Sequence, residues 1–231
     1  MRYDIVLFDA DGTLFDFLRS EKEAFSKMTA EFGIIVNDEL VKSYSEINDS
    51  LWKKLEKGEI EKSVLLYHRF EIFCQKHGFV ADAKEMAKRY MLNLSELAYF
   101  LEGAEELCAR LKGKFKMYIV TNGVEYTQKK RYTIAELGRF FEGAFISGEM
   151  GAEKPSAEYF EKVAAAIPDF DKARTVIIGD SLSSDIRGGI NFGIDTCWYN
   201  PNGKPLPEGM KVTHISNSFD DIYDFLCSEG E

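Results

Sequence analysis

The stretch Ile5-Val6-Leu7-Phe8-Asp9-Ala10-Asp11-Gly12-Thr13-Leu14 sets a wholly apolar tetrapeptide directly before two carboxylates. A continuous apolar run of this kind reads as a strand buried on both faces of a parallel sheet. Ligands in such sheets bind outside the carboxyl ends of the strands, so Asp9 and Asp11 stand where a ligand binds. Side chains two positions apart in extended structure lean to the same side. Both carboxylates then face one reacting group, one to attack and the other to move a proton, and Gly12 lets the chain turn sharply away. The same letters fit an Asp-Gly turn with a solvated neighbour, so the surrounding sequence has to decide between the two.

Beyond this stretch, the pattern from about Phe17 to Leu97 is helical, with no strand-like run of β-branched residues. Ser20 and Glu23 form a capping-box pattern, Phe25, Met28 and Phe32 follow at helical spacing, and Gly33 suits a stop. Leu40, Val41, Tyr44, Ile47, Leu51 and Leu55 continue on one face, and Gly58 and Gly78 punctuate the helices that follow. From Gly103 onward helix and strand alternate, as a parallel sheet with crossover helices requires. Further strands are readable at Phe115 to Val120, Gly143 to Ile146, Thr175 to Gly179 and Ile194 to Tyr199, with a short one near Val212 and a last helix around Phe219 to Leu226. The expectation is an α/β fold, with a Rossmann-like parallel-sheet core, helices on both faces, and an inserted all-helical domain. The core comprises residues 1–16 and 98–231, and the insertion 17–97.

At 231 residues and a formal net charge of −10, the chain is ordinary for a globular enzyme and unsuited to a nucleic-acid polymer, whose phosphates need clustered Lys and Arg. Cys74, Cys108, Cys197 and Cys227 are scattered, with no zinc spacing, and read as reduced thiols. The apolar run near the N-terminus is too short for a signal peptide and no stretch reaches membrane-spanning length, so a cytoplasmic protein with no membrane partner is expected.

Four pieces fall in chain order at strand ends or on the same edge. They are Asp9 with Asp11, Thr121-Asn122-Gly123, Lys154-Pro155, and Gly179-Asp180-Ser181-Leu182-Ser183-Ser184-Asp185. Singly, the second reads as a turn, the third as a surface lysine, and the fourth as a helix start at Ser183 or Ser184. Together they resemble the four motifs of the haloacid dehalogenase superfamily, in its branch with a helical cap inserted after the first motif, and the resemblance covers the whole chain. It implies a Mg²⁺-dependent phosphatase in which Asp9 is nucleophile and metal ligand, and Asp11 is acid and then base while its backbone carbonyl ligates the metal. Asp180 completes the ligands, and Asp185 orients a metal-bound water or Lys154. Thr121, with the amides around Asn122 and Gly123, and Lys154 would hold the phosphoryl group.

Electrostatics requires such company, because unit charges about 4 Å apart repel by roughly 4 kcal/mol at an effective dielectric of about 20. A phosphate dianion beside Asp9 needs cancelling positive charge, which Mg²⁺ and Lys154 supply. Carbon–halogen-cleaving members lack an acid at the position of Asp11, so dehalogenation is disfavoured, and Thr13 resembles phosphatases more than mutases.

Within the insertion, Ile47-Asn48, Leu51-Trp52, Glu56, Gly58, Ile60 and Arg69-Phe70 resemble the cap of bacterial pyrimidine nucleotide 5′-nucleotidases. The implied substrate is a small phosphomonoester, a nucleoside 5′-monophosphate with a pyrimidine base. Asn48, Trp52 and Arg69 are candidates for contacting it, with Phe15 and Phe17 as pocket walls. Trp52 and Phe70 at helical spacing equally fit a helical core, Asn48 and Arg69 a helix surface, and Phe15 and Phe17 packing at the hinge. The alternatives are a phosphatase for sugar phosphates or phosphoglycolate, and a noncatalytic binding module on the same fold.

Overall fold

A computed structural model describes residues 1–228. In chain order the elements are β1 (Ile5–Phe8), α1 (Phe17–Glu31), α2 (Asp38–Glu56), α3 (Lys62–His77), α4 (Ala83–Ser95), α5 (Ala104–Leu111), β2 (Lys116–Thr121), α6 (Glu125–Ile134), β3 (Gly143–Ile146), α7 (Ser147–Met150), α8 (Ala157–Ala166), β4 (Thr175–Gly179), α9 (Arg187–Phe192), β5 (Asp195–Tyr199), β6 (His214–Ser216) and α10 (Phe219–Cys227). They form two units, one of Met1–Asp16 with the chain from Tyr99 onward, the other of Phe17–Ala98.

Among the described residues of the first unit, one parallel sheet runs β3-β2-β1-β4-β5-β6. This is an α/β fold with the Rossmann strand order, and the order reverses between β1 and β4. Such a reversal opens a crevice at the carboxyl ends of the two strands. All four residues of β1 are buried, as its continuous apolar run requires. One face is sealed by α8, whose Tyr159, Phe160 and Val163 pack with Ile5, Leu7, Val120 and Ile177. Register places Phe8 beside Ile119 of β2 and Ile178 of β4, and Asp9 N donates to Ile178 O at 2.9 Å, so Asp9 leaves the sheet at the reversal. Gly12, at φ +88°, turns the chain there.

The second strand starts one residue later than its pattern, and β6 begins at His214 rather than near Val212. The reason at β6 is local. Thr213 and Thr196 exchange side-chain-to-backbone bonds, Thr196 N to Thr213 Oγ1 at 3.1 Å and Thr213 N to Thr196 Oγ1 at 3.3 Å, and the ladder starts only beyond them. All four cysteines are free thiols, with Cys74, Cys108 and Cys197 buried.

The second unit is helical, α1 to α4, around a ring cluster in which Tyr44 stacks on Phe25 (centroids 4.1 Å apart) and on Phe70 (5.3 Å). Gly33, Gly58 and Gly78 follow the ends of α1, α2 and α3 as their positions predict. The start of α1 differs from the capping-box reading. Helix begins at Phe17, so Ser20 lies inside it, fully buried, and Glu23 pairs along the helix with Lys27 at 2.8 Å. Among the described residues no helix is long and apolar enough to cross a membrane.

Candidate active site

Asp9, Lys154, Asp180 and Asp185 meet at the sheet reversal. Asp9 is 7% exposed and Lys154 2%. The Lys154 ammonium donates to Asp9 Oδ1 at 2.6 Å, to Asp185 Oδ1 at 2.7 Å and to the Val120 carbonyl at 2.8 Å, which uses its three hydrogens. Asn122 anchors the lysine from behind. Its Nδ2 donates to Lys154 O at 2.8 Å and its Oδ1 accepts from Lys154 N at 2.9 Å. The Lys154-Pro155 peptide is cis.

Carboxylate oxygens of Asp9, Asp180 and Asp185 all lie within 4.8 Å of one another. The chain beyond β4 makes this cluster by capping itself. Ser181 Oγ accepts from Ser184 N at 3.2 Å while Asp185 Oδ2 accepts from Ser181 N at 3.1 Å, closing a π-helical turn, Leu182–Ile186, that runs into α9. The cap is therefore Ser181 rather than Ser183 or Ser184, and from the turn it opens Asp185 meets Lys154 at 2.7 Å. Asp180 is steadied by the Trp198 indole, which donates to its carbonyl at 3.0 Å.

Charge in this cluster is poorly neutralised. Burial pushes the Asp9 carboxyl well above the usual carboxylate range; Lys154 opposes this, while Asp185 and Asp180 reinforce it. Burial and then Asp185 push Asp180 up to about 7. Burial alone would lower the Lys154 ammonium, but the carboxylates of Asp185 and Asp9 outweigh it and hold the proton on.

Asp11 follows Asp9 by two residues and its side chain is 24% exposed. Its Oδ1 accepts from Arg131 at 2.6 Å and its Oδ2 from Gln128 at 2.6 Å, both on α6. Gln128 Nε2 also reaches Thr121 Oγ1 at 3.1 Å, and Thr121 Oγ1 accepts in addition from Gly123 N at 3.1 Å. Gln128 and Arg131 were not singled out from the sequence. Nothing in the sequence of α6 marks them, and their burial, with that of Thr127, appears only in the structure.

Of the five residues expected to line a substrate pocket, Phe15 belongs to the first unit and Phe17, Asn48, Trp52 and Arg69 to the second. Phe15 is fully buried in the first unit, its ring 5.4 Å from Phe100 and 4.7 Å from the Arg131 guanidinium, so it is packing rather than a free wall. Phe17 opens α1 and is half-buried, as is Trp52 on α2. Asn48 and Arg69 are buried inside the second unit, where Asn48 Nδ2 donates to Glu21 at 2.7 Å and Arg69 donates to Asn48 Oδ1 at 2.8 Å. Arg69 also lies 4.6 Å from the Tyr90 ring. Their polar atoms hold α1, α2 and α3 together, which a surface reading of these helices does not anticipate.

Residues 3–193 match the family of haloacid dehalogenase-like hydrolases. The chain is 35% identical to the pyrimidine 5′-nucleotidase PynA of Streptococcus pneumoniae, over 98% of this chain and 96% of that protein. It is 30% identical to the pyrimidine 5′-nucleotidase YjjG of Escherichia coli, over 98% of this chain and 99% of that protein. The magnesium-bound crystal structure of the HAD-hydrolase YfnB from Bacillus subtilis superposes with a TM-score of 0.94 at 36% identity, covering 99% of this chain and 100% of that one. A family match across most of the chain, relatives at these identities over nearly full length, and the three-carboxylate cluster at the sheet reversal converge, and the chain belongs to the haloacid dehalogenase-like hydrolases.

Proposed function

We propose that this protein is a Mg²⁺-dependent phosphatase that hydrolyses a small phosphomonoester, a nucleoside 5′-monophosphate with a pyrimidine base, through a phosphorylated Asp9. The observation that carries the chemistry is the cluster of Asp9, Asp180 and Asp185, two of which, Asp9 and Asp185, share the buried Lys154. The substrate class rests on the names of PynA and YjjG, both matched across the helical unit as well as the core. We assign residues 1–16 and 98–231 to catalysis and 17–97, the cap, to choosing the substrate.

The donor set fits Mg²⁺. Three hard carboxylates face one ammonium, so the cluster holds excess negative charge, and carboxylate oxygens are what Mg²⁺ takes. Asp9, Asp180 and the backbone carbonyl of Asp11 would hold it, with Asp185 alongside. When bound, it offsets the repulsion between the carboxylates and a phosphate dianion.

In the first step a carboxylate oxygen of Asp9 attacks phosphorus, the bond to the leaving oxygen breaks, and Asp11, which enters the step protonated, gives that oxygen its proton and becomes the carboxylate. In the second, Asp11 takes a proton from water, the water oxygen attacks phosphorus, and Asp9 is released with inorganic phosphate. Lys154 holds the orientation of Asp9 throughout. Thr121, the amides near Asn122 and Gly123, and Lys154 stabilise the phosphoryl oxygens as charge builds on them.

A panel of uridine and thymidine monophosphates, phosphoglycolate and hexose phosphates, assayed with Mg²⁺ and with chelator, tests the reading. Turnover should require Mg²⁺ and favour the nucleotides. A preference for the sugar or hydroxy-acid phosphates would shift the substrate class, turnover in chelator would contradict the metal site, and no turnover at all would leave a binding module.

The raised Asp9 and Asp180 carboxyls give a pH signature. Since their folded values exceed the unfolded value near 3.8, the metal-free protein binds more protons folded than unfolded. The contribution of Asp180 to stability is complete below that value and is lost as pH rises through about 7, and that of Asp9 is lost in the same direction. Bound Mg²⁺ favours the ionised forms. The rise in thermal midpoint on adding Mg²⁺ should therefore be larger at pH 8 than at pH 5, as read by differential scanning fluorimetry; an equal or smaller rise at pH 8 would contradict the site.

A further inference from the structure

Beyond the residues already given roles, α6 directs a buried polar pair at the reaction centre. We propose that Gln128 and Arg131 are positioning residues that fix the Asp11 carboxylate and force the Thr121 hydroxyl to act as a donor. The proposal rests on the phosphatase reading above.

Three observations support it. First, the two oxygens of Asp11 are each held by a different residue of α6, Oδ1 by Arg131 and Oδ2 by Gln128, both at 2.6 Å. Two bonds at about a right distance from separate donors fix the plane of a carboxylate, where a single bond would leave it free to swing. Gln128 Oε1 accepts from Arg131 at 3.0 Å, so the two donors also fix each other. Arg131 is fully buried, its guanidinium lying 4.7 Å from the Phe15 ring. Burying an arginine is costly unless it is paired, so the pair is a built feature of the unit.

Second, Gln128 Nε2 donates to Thr121 Oγ1 as well as to Asp11. With Gly123 N also donating to that oxygen, both acceptor positions of the hydroxyl are filled. The hydroxyl hydrogen is what remains to meet a phosphoryl oxygen. One side chain thus aligns the proton-transfer group and the phosphate-binding hydroxyl together.

Third, the turn after β2 is shaped around Gln128. A Cβ added at Gly123 would lie 2.2 Å from Gln128 Nε2 and 2.5 Å from its Cγ. The glycine of Thr121-Asn122-Gly123 is therefore the residue that admits the glutamine to the site.

Loss of an aligned acid and base affects only steps that move a proton. An alkyl phosphate such as uridine monophosphate needs a proton on its leaving oxygen, whereas 2,4-dinitrophenolate leaves without one. Arg131→Met and Gln128→Met, which keep volume and remove the donors, should lower kcat for uridine monophosphate by about 10²-fold or more with KM changed less than about threefold. The first-turnover burst of dinitrophenolate from 2,4-dinitrophenyl phosphate should slow by less than about threefold in Arg131→Met, which leaves the Gln128 bond to Thr121 in place, and by more than that in Gln128→Met, which removes it. The phase after the burst should be slow, because water also gives its proton to Asp11. Arg131→Lys, which keeps one charged donor, should recover kcat by about tenfold over Arg131→Met. Thermal midpoints of all three report folding, and the conservative lysine variant carries the test if a methionine variant does not fold.

Variants with wild-type kcat on uridine monophosphate overturn the assignment, as does a dinitrophenolate burst in Arg131→Met slowed as much as uridine monophosphate turnover. A wild-type protein inactive on both esters contradicts the phosphatase reading itself, and the assignment with it.

Discussion

Asp9→Asn should reduce phosphomonoester turnover by at least about 10⁴-fold, because an amide neither attacks phosphorus nor forms the intermediate on which hydrolysis depends. The change is nearly isosteric, so the cluster around it should persist. Lys154 would still reach Asp185 at 2.7 Å and the Val120 carbonyl at 2.8 Å. Removing one carboxylate from three crowded within 4.8 Å also relieves repulsion, and the metal-free variant should be at least as stable as the parent. The combination of lost activity with retained or raised thermal midpoint separates a missing nucleophile from a damaged fold. Beryllium fluoride, which mimics a phosphoryl group on a carboxylate, should bind the parent in the presence of Mg²⁺ and not the variant. Activity near that of the parent would remove Asp9 from the reaction.

Lys154→Met should do the reverse, losing stability and activity together. The ammonium is bonded to Asp9 and Asp185, whose side chains are 10% and 1% exposed. Taking it away leaves two buried carboxylates without their cation, and breaking a buried pair from one side costs about 3–5 kcal/mol. Urea denaturation of the metal-free protein should show a loss of that order, and kcat should fall by about 10²-fold or more because Asp9 is no longer held for attack. An unchanged denaturation midpoint would show that the lysine does not hold the cluster together.

How far these features were legible in the sequence depended on how local their causes are. The apolar run of β1 and the glycines after α1, α2 and α3 act through their immediate neighbours, and their positions read directly. The sequence groups Asp9, Asp11, Thr121, Lys154, Asp180 and Asp185 because each falls at a strand end or in a loop on the same edge. What brings them together, the reversal of strand order between β1 and β4, is a property of pairing between distant strands. Ser20 fits a cap in its local pattern, yet it is buried inside α1 by packing that no short pattern encodes. Asn48 and Arg69 look like surface groups until Glu21, on another helix, is placed beside them. Gln128 and Arg131 lie 117 and 120 residues from the carboxylate they hold, and only the orientation of α6 reveals them.

The identity of the phosphorylated side chain is most directly read by acid-quenching the wild-type protein within its first turnover of labelled uridine monophosphate and mapping the labelled peptide. The label should be alkali-labile, as an acyl phosphate is, and should lie on Asp9 in the peptide containing Ile5-Val6-Leu7-Phe8-Asp9. A label on any other residue, or turnover with no protein-bound phosphate at any quench time, would contradict the assignment of Asp9 as nucleophile.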